Sequence, residues 1–167
     1  MKATRNAVLF LACVPLLVTA KGPTLKITIK GSDLASPIEI TEKGILEKFD
    51  VWAGAGVKIN GIPQTKGFIV DWEKGSIAEP PATLHQYEVS FDVMHQRPRT
   101  YVVSYAYDPV TGKGYVYLPG KGEDFNASNT LLILRGVEGN WLSATDTWAE
   151  IARPLIERAK GRASVSK

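Results

Sequence analysis

All six tyrosines of the chain fall between residues 85 and 118, at positions 87, 101, 105, 107, 115 and 117, and every one is odd-numbered. Side chains alternate between the two faces of a β-strand, so shared parity means a shared face wherever the strands are in register. Tyr87, Val89, Phe91 and Val93 alternate with Glu88, Ser90 and Asp92. Tyr101, Val103, Tyr105 and Tyr107 make a second such run, and Tyr115 and Tyr117 a third. With loops at His95 to Arg99 and Asp108 to Gly114, Tyr87 falls opposite Tyr107, Val89 opposite Tyr105 and Phe91 opposite Val103. Tyr107 then meets Tyr115, and Tyr105 meets Tyr117. The expectation is a three-stranded antiparallel meander with one aromatic face turned to the core, each large side chain contributing about 1.5–3 kcal/mol by burial. A one-residue slip in either hairpin would send one set of rings to the opposite side.

The flanking segments extend this to an α+β fold, mostly antiparallel β, with an N-terminal hairpin before the meander and a C-terminal amphipathic helix packed on the sheet. Leu25, Ile27 and Ile29 alternate with lysines and a threonine, Gly31-Ser32-Asp33 supplies a turn, and Ile38-Glu39-Ile40 alternates again. Thr41 is placed to cap a short helix with Ile45, Leu46 and Phe49 on one face. Residues 53–67, with four glycines and Pro63, read as a long irregular connection. Phe68 to Trp72 reads as a short strand, and Glu73 to Leu84, with Pro80-Pro81, as a second loop. Leu131 to Leu134 suits either strand or buried helix. Thr147 with Glu150 makes a capping box for a helix whose apolar face carries Trp148, Ile151, Leu155, Ile156 and Ala159, with a kink or break expected near Arg153 because Pro154 follows.

The first twenty residues follow a different rule. Lys2 and Arg5 precede a run from Ala7 to Ala20 without charge, and Val18-Thr19-Ala20 offers small residues for signal-peptidase cleavage. The run is shorter than the ~20 residues a helix needs to cross a bilayer, and Pro15 interrupts it. Leu11-Ala12-Cys13 shares letters with a lipobox, which keeps lipidation at Cys13 open as an alternative. The domain expectation is a signal peptide over 1–20, one β-rich globular domain over 21–160 and a flexible tail over 161–167, in a secreted or periplasmic protein. Removing the first 20 of 167 residues leaves 147, takes the single cysteine away, and reduces 20 basic residues to 18 against 17 acidic ones. A nearly neutral chain of that size can bury roughly two-thirds of its unfolded surface without a disulfide, and it offers no electrostatic footprint for nucleic acid.

Residues with chemistry are scattered. Gly31-Ser32-Asp33-Leu34 holds the letters of an esterase motif in the wrong order and reads as a turn; Gly54-Ala55-Gly56 lacks the rest of a nucleotide-binding loop. Asp124, Asn126 and Ser128 have the start of a calcium-loop spacing, but Asn129 and Arg135 stand where its glycine and bidentate acid belong. His85 and His95 flank one strand, about 30 Å apart if it is straight, too far to share a metal. A single histidine could still pair with an acid such as Asp108, Glu123 or Asp124. Trp52 and Trp72 read as covers for a core edge or as sugar-stacking platforms. No catalytic residue, cofactor or metal ligand is assigned. The candidate ligand surface is the cationic hairpin tip of His95, Arg97 and Arg99, whose donors suit a cell-envelope component or an anionic glycan.

Gly114-Tyr115-Val116-Tyr117-Leu118-Pro119-Gly120, followed by Leu134-Arg135-Gly136-Val137-Glu138-Gly139-Asn140-Trp141, resembles a pattern found in a group of small secreted bacterial proteins of no assigned activity. Pro37 to Thr41 and Trp52 are similar to the start of the same group. The resemblance implies an exported bacterial domain and carries no function with it. The expected function is an exported, non-catalytic binding or interaction module. Its alternatives are a small secreted hydrolase with a site assembled from dispersed histidines and acids, and an assembly protein using a sheet edge or the apolar helix face.

Overall fold

The computed structural model describes residues 22–51, 58–59, 61–63, 68–94, 98–120 and 137–165. In chain order the elements are β1 (Thr24–Lys30), β2 (Ile38–Ile40), α1 (Lys43–Leu46), β3 (Lys58–Ile59), β4 (Ile62–Pro63), a 3-10 turn (Trp72–Lys74), β5 (Ser76–Ile77), β6 (Gln86–Met94), β7 (Pro98–Tyr107), β8 (Gly114–Leu118), β9 (Asn140–Ser143) and α2 (Asp146–Val165). Seven strands form one sheet in the order β2-β1-β6-β7-β8-β9-β5, and every pairing is antiparallel. β3 and β4 make a separate small hairpin. This is the α+β, mostly antiparallel fold that the alternation implied. Leu131 to Leu134 and most of the expected irregular connection after Val51 lie outside the described residues.

The meander forms, and its two hairpins depart from the expected register in different ways. In the first, Tyr87 faces Tyr105, Val89 faces Val103 and Phe91 faces Tyr101, with Met94 opposite Pro98. The shift from the expected pairing is two residues, so parity survives: Tyr87, Val89, Phe91, Val93, Tyr101, Val103, Tyr105 and Tyr107 are all buried. In the second hairpin the shift is one residue. Tyr107 faces Gly114, Ala106 faces Tyr115 and Ser104 faces Tyr117. Val116 and Leu118 therefore take the core side, while Tyr115 and Tyr117 stand half-buried on the opposite face, Tyr117 against Trp141 with ring centroids 5.2 Å apart.

Asp108 is the cause of that slip. Its carboxylate accepts from the Val110 amide at 2.8 Å and the Thr111 hydroxyl at 2.6 Å, and its own amide donates to the Lys113 carbonyl at 2.9 Å. The turn closes on Lys113 instead of Gly114, one residue earlier than the hydrophobic pattern suggested. Loop chemistry set the register, and the tyrosine pattern yielded.

The chain crosses from β4 to the far edge of the sheet through Phe68, Ile69 and Val70, all fully buried. Among the described residues this segment makes a single bridge, Val70 to Ala144, flanked by the Asp71 amide on the Ser143 carbonyl and the Thr145 amide on the Ile69 carbonyl, both 2.8 Å. Trp72, expected at the strand's end, belongs to the 3-10 turn and stacks on Phe68 at 6.4 Å, covering a core edge.

α2 closes the core. Thr145 caps it, its hydroxyl oxygen accepting from the Trp148 amide at 3.2 Å. The expected cap, Thr147, is already inside the helix, because Thr145 is the last residue held extended by Ile69. The expected cap of α1 is also displaced: Thr41 gives way to Glu42, whose carbonyl takes the Ile45 and Leu46 amides. Trp148, Ala152 and Ile156 form the buried stripe of α2, flanked by half-buried Ile151 and Leu155. The helix runs through Pro154 without a break and past Gly161 to Val165. Proline is tolerated there because Arg153 and Pro154 sit on the exposed side, away from the sheet.

The indole of Trp148 meets Phe49 edge-on at 5.3 Å, Tyr105 edge-on at 5.8 Å and Phe91 at 6.2 Å. Trp148→Ala would remove the one side chain that joins helix, sheet and the segment after α1. A loss of about 3–5 kcal/mol is expected, measured as a lower urea midpoint, whereas Trp72→Ala at the core edge should cost clearly less.

Candidate functional site

Two places bring polar groups together. The first lies at the end of the sheet where β1 turns toward β2. Gly31 passes so close to the Tyr87 ring that an added Cβ would come within 2.6 Å of it, and this approach carries Asp33 to the Tyr87 hydroxyl, which donates to its carboxylate at 2.8 Å. Lys160, from the far end of α2, reaches the same carboxylate oxygen at 3.1 Å and donates to the Tyr107 hydroxyl at 3.3 Å. Its ammonium also stands 5.6 Å and 5.4 Å from the ring centres of Tyr87 and Tyr107, which are stacked on each other. Tyr107 in turn donates to the Glu157 carboxylate. Gly31-Ser32-Asp33-Leu34 is thus the turn expected, with the Leu34 amide on the Gly31 carbonyl, and its aspartate serves as a fastening point.

His85 approaches this cluster, its Nδ1 3.7 Å from Asp33 Oδ2, while the imidazole remains 62% exposed. A histidine–acid contact therefore exists, with an aspartate that sequence spacing did not single out. The electrostatics of the cluster favour fastening over proton transfer. Burial pushes the Asp33 carboxyl up, but the Tyr87 hydroxyl and the Lys160 ammonium outweigh it and hold the pKa below the ordinary value. Burial pulls Lys160 down, and its contacts with Tyr87 and Asp33 reverse that and raise it. Burial, with the Asp33 charge behind it, lifts Tyr87 to about 12. Each group is moved away from neutrality, the reverse of what a general acid or base needs.

The second place is a cleft of about 620 Å³ at the other side of the sheet. One wall is the chain leaving β5, from Ile77 through Glu79 to Pro81; another is the Thr111–Tyr115 stretch leading into β8; the third is the start of α2 at Asp146 and Ala149. Its floor at Gly114 and Ala144 is closely packed: a Cβ on Gly114 would stand 2.8 Å from the Ala144 methyl and 3.2 Å from the Tyr105 hydroxyl, which lies behind these residues and outside the lining. That hydroxyl is fully buried and has no hydrogen-bond partner among the described residues. Burial pushes its pKa up, with Arg153 acting the other way. Around the floor stand Tyr115 and Ser143, cross-strand partners between β8 and β9, with Thr111, Lys113, Glu79 and Asp146. Lys74 is held at 2.9 Å by Asp71, whose hydrogen bond and charge raise the lysine's pKa, with Asp146 adding to the effect.

Arg99 of the expected cationic tip is exposed on β7 opposite Val93; His95 and Arg97 lie outside the described residues, as do Trp52 and the segment holding Asp124, Asn126 and Ser128. Arg99 is eight strand positions from Tyr107, about 26 Å, and so is remote from the cleft. Among the described residues no three of His, Cys, Asp and Glu gather as a metal cluster requires, and no helix is long and apolar enough to cross a membrane. Comparison of the chain with protein-family models, with curated proteins and with solved structures gives no match.

The Asp33 cluster makes stability depend on pH at both ends. Asp33, with its pKa lowered on folding, stabilises above the ordinary carboxylate value of 3.8, and that contribution is lost as pH falls through the lower folded value. Lys160 and Tyr87, both raised, stabilise fully below their ordinary values of 10.5 and 10.0, and lose this as pH rises through the folded ones. Chemical denaturation of Lys160→Met across pH 2–12 should therefore show flatter acid and alkaline limbs than the wild type; parallel curves would mean the cluster does not couple charge to folding.

Proposed function

We propose that this chain is an exported, non-catalytic binding module that takes its ligand in the cleft between the β5 exit, the β7–β8 turn and the start of α2. The observation that carries the reading is the cleft itself. Its volume of about 620 Å³ is within the range of small-ligand sites, and its lining joins side chains of both charge signs with the hydroxyls of Thr111, Tyr115 and Ser143. Export is supported by Lys2 and Arg5 ahead of the uncharged run to Ala20.

The contact between His85 and Asp33 favours a second reading, a small hydrolase. It is the weaker one because Asp33 is already engaged by Tyr87 and Lys160, and the group fixes charges instead of moving protons. Ester, glycoside or peptide turnover abolished by His85→Ala would reverse the order.

Ala149→Trp tests the cleft. Ala149 is a half-buried helix residue lining it, so an indole there fills space without entering the core. Ligands drawn from peptide and oligosaccharide panels should raise the wild-type melting temperature by roughly 5–10 °C at a hundredfold excess over Kd, and Ala149→Trp should abolish the rise while melting close to the wild type. Equal ligand-induced shifts in both proteins would place the site elsewhere.

A further inference from the structure

The cleft does not end at the first turn of α2. A second cavity of about 410 Å³ shares Gly112, Asp146 and Ala149 with it and continues along the helix to Glu150, Arg153 and Pro154. From Asp146 to Pro154 the helix advances about 12 Å, so the two neighbouring cavities follow one line along the helix, and we treat them as one groove.

Much of what this groove offers is backbone. Pro154 has no N–H, so the Glu150 carbonyl lacks the donor that the residue four positions on supplies along an uninterrupted helix, and Glu150 and Pro154 both line the second cavity. On the opposite wall, Glu79 and Pro80 make no backbone hydrogen bond among the described residues, and neither Pro80 nor Pro81 carries an amide hydrogen. Among the described residues β5 ends the strand order of the sheet, and no strand of theirs pairs with its outer edge. The lining charges are mixed, with Lys74, Lys113 and Arg153 against Glu79, Asp146 and Glu150. Among the described lining residues Tyr115 alone is aromatic, which is poor provision for stacking sugar rings.

An elongated groove with open backbone acceptors on both walls and side chains of both signs matches one ligand class best. We infer that it takes an extended peptide segment carrying charges of both signs, whose amides reach the Glu150 carbonyl and the backbone beside β5. This rests on the cleft being the binding site.

The test uses the full chain against a positional-scanning library of capped hexapeptides and a panel of neutral and anionic oligosaccharides, with calorimetry of the tightest binder. Pro154→Ala restores an amide that returns the Glu150 carbonyl to the helix. It should raise the melting temperature and weaken the best peptide roughly threefold to tenfold, while Ala149→Trp abolishes peptide binding. Unchanged peptide affinity in Pro154→Ala, or no hexapeptide bound by the wild type, overturns the inference. An oligosaccharide bound by the wild type and lost in Ala149→Trp overturns it too but leaves the cleft as the binding site; peptide binding that survives Ala149→Trp overturns both.

Discussion

The indole of Trp148 reaches from the first turn of α2 onto Phe91 and Tyr105 of the central strands and onto Phe49 beyond α1, and the other arrangements follow from where it sits. A seven-stranded sheet has two faces, and only one can be covered by a single helix. Thr145 caps α2 immediately after pairing with Ile69, so the helix leaves β9 at a fixed point and drops Trp148 onto the middle of the aromatic surface. Lys160 then meets Asp33 at the other end of the helix, fastening it to the β1–β2 turn. The helix is held at its start by apolar contact and at its far end by charge.

That placement also creates the cleft. The start of α2 at Asp146 and Ala149, the Thr111–Tyr115 stretch into β8, and the chain leaving β5 with two prolines bound a space that they line without filling. Pro154 belongs to the same geometry. It is tolerated on the exposed side of the helix, and Glu150, whose carbonyl it leaves without its usual donor, lines the cavity next to the cleft.

The core strands were legible because burial on one face imposes a period of two, which Ile27, Ile29, Val89, Phe91, Val103 and Tyr105 keep; Leu25, expected on the same face, is exposed because the register shifts between Thr24 and Lys26 and buries Thr24 instead. Tyr115 and Tyr117 show the limit of that signal. They share parity with the other tyrosines, yet the hydrogen bonds of Asp108 close the turn one residue early and put them on the opposite face. β9 was missed because the four residues after Gly139 are too few to show a period, and β5 because two residues have none. The candidate site was nearly invisible: its floor is a glycine and an alanine, and two of its three walls come from segments that read as loops. Asp33 was seen as a turn residue only, since its partners Tyr87 and Lys160 are distant in sequence.

By itself the sequence determined the longer elements, β1, β6, β7, β8 and α2, and most of the residues they turn to the interior, because alternation and helical spacing are local consequences of backbone geometry. The positive start at Lys2 and Arg5 and the uncharged run from Ala7 to Ala20 are legible for the same reason, as composition along the chain. Tertiary structure alone decided which face Tyr115 and Tyr117 occupy, that Lys160 closes on Asp33, and that a cleft opens beside the start of α2. Register depends on a turn's hydrogen bonds, and a cleft depends on what fails to fill a space between segments far apart in the chain. Neither leaves a period for a linear sequence to show.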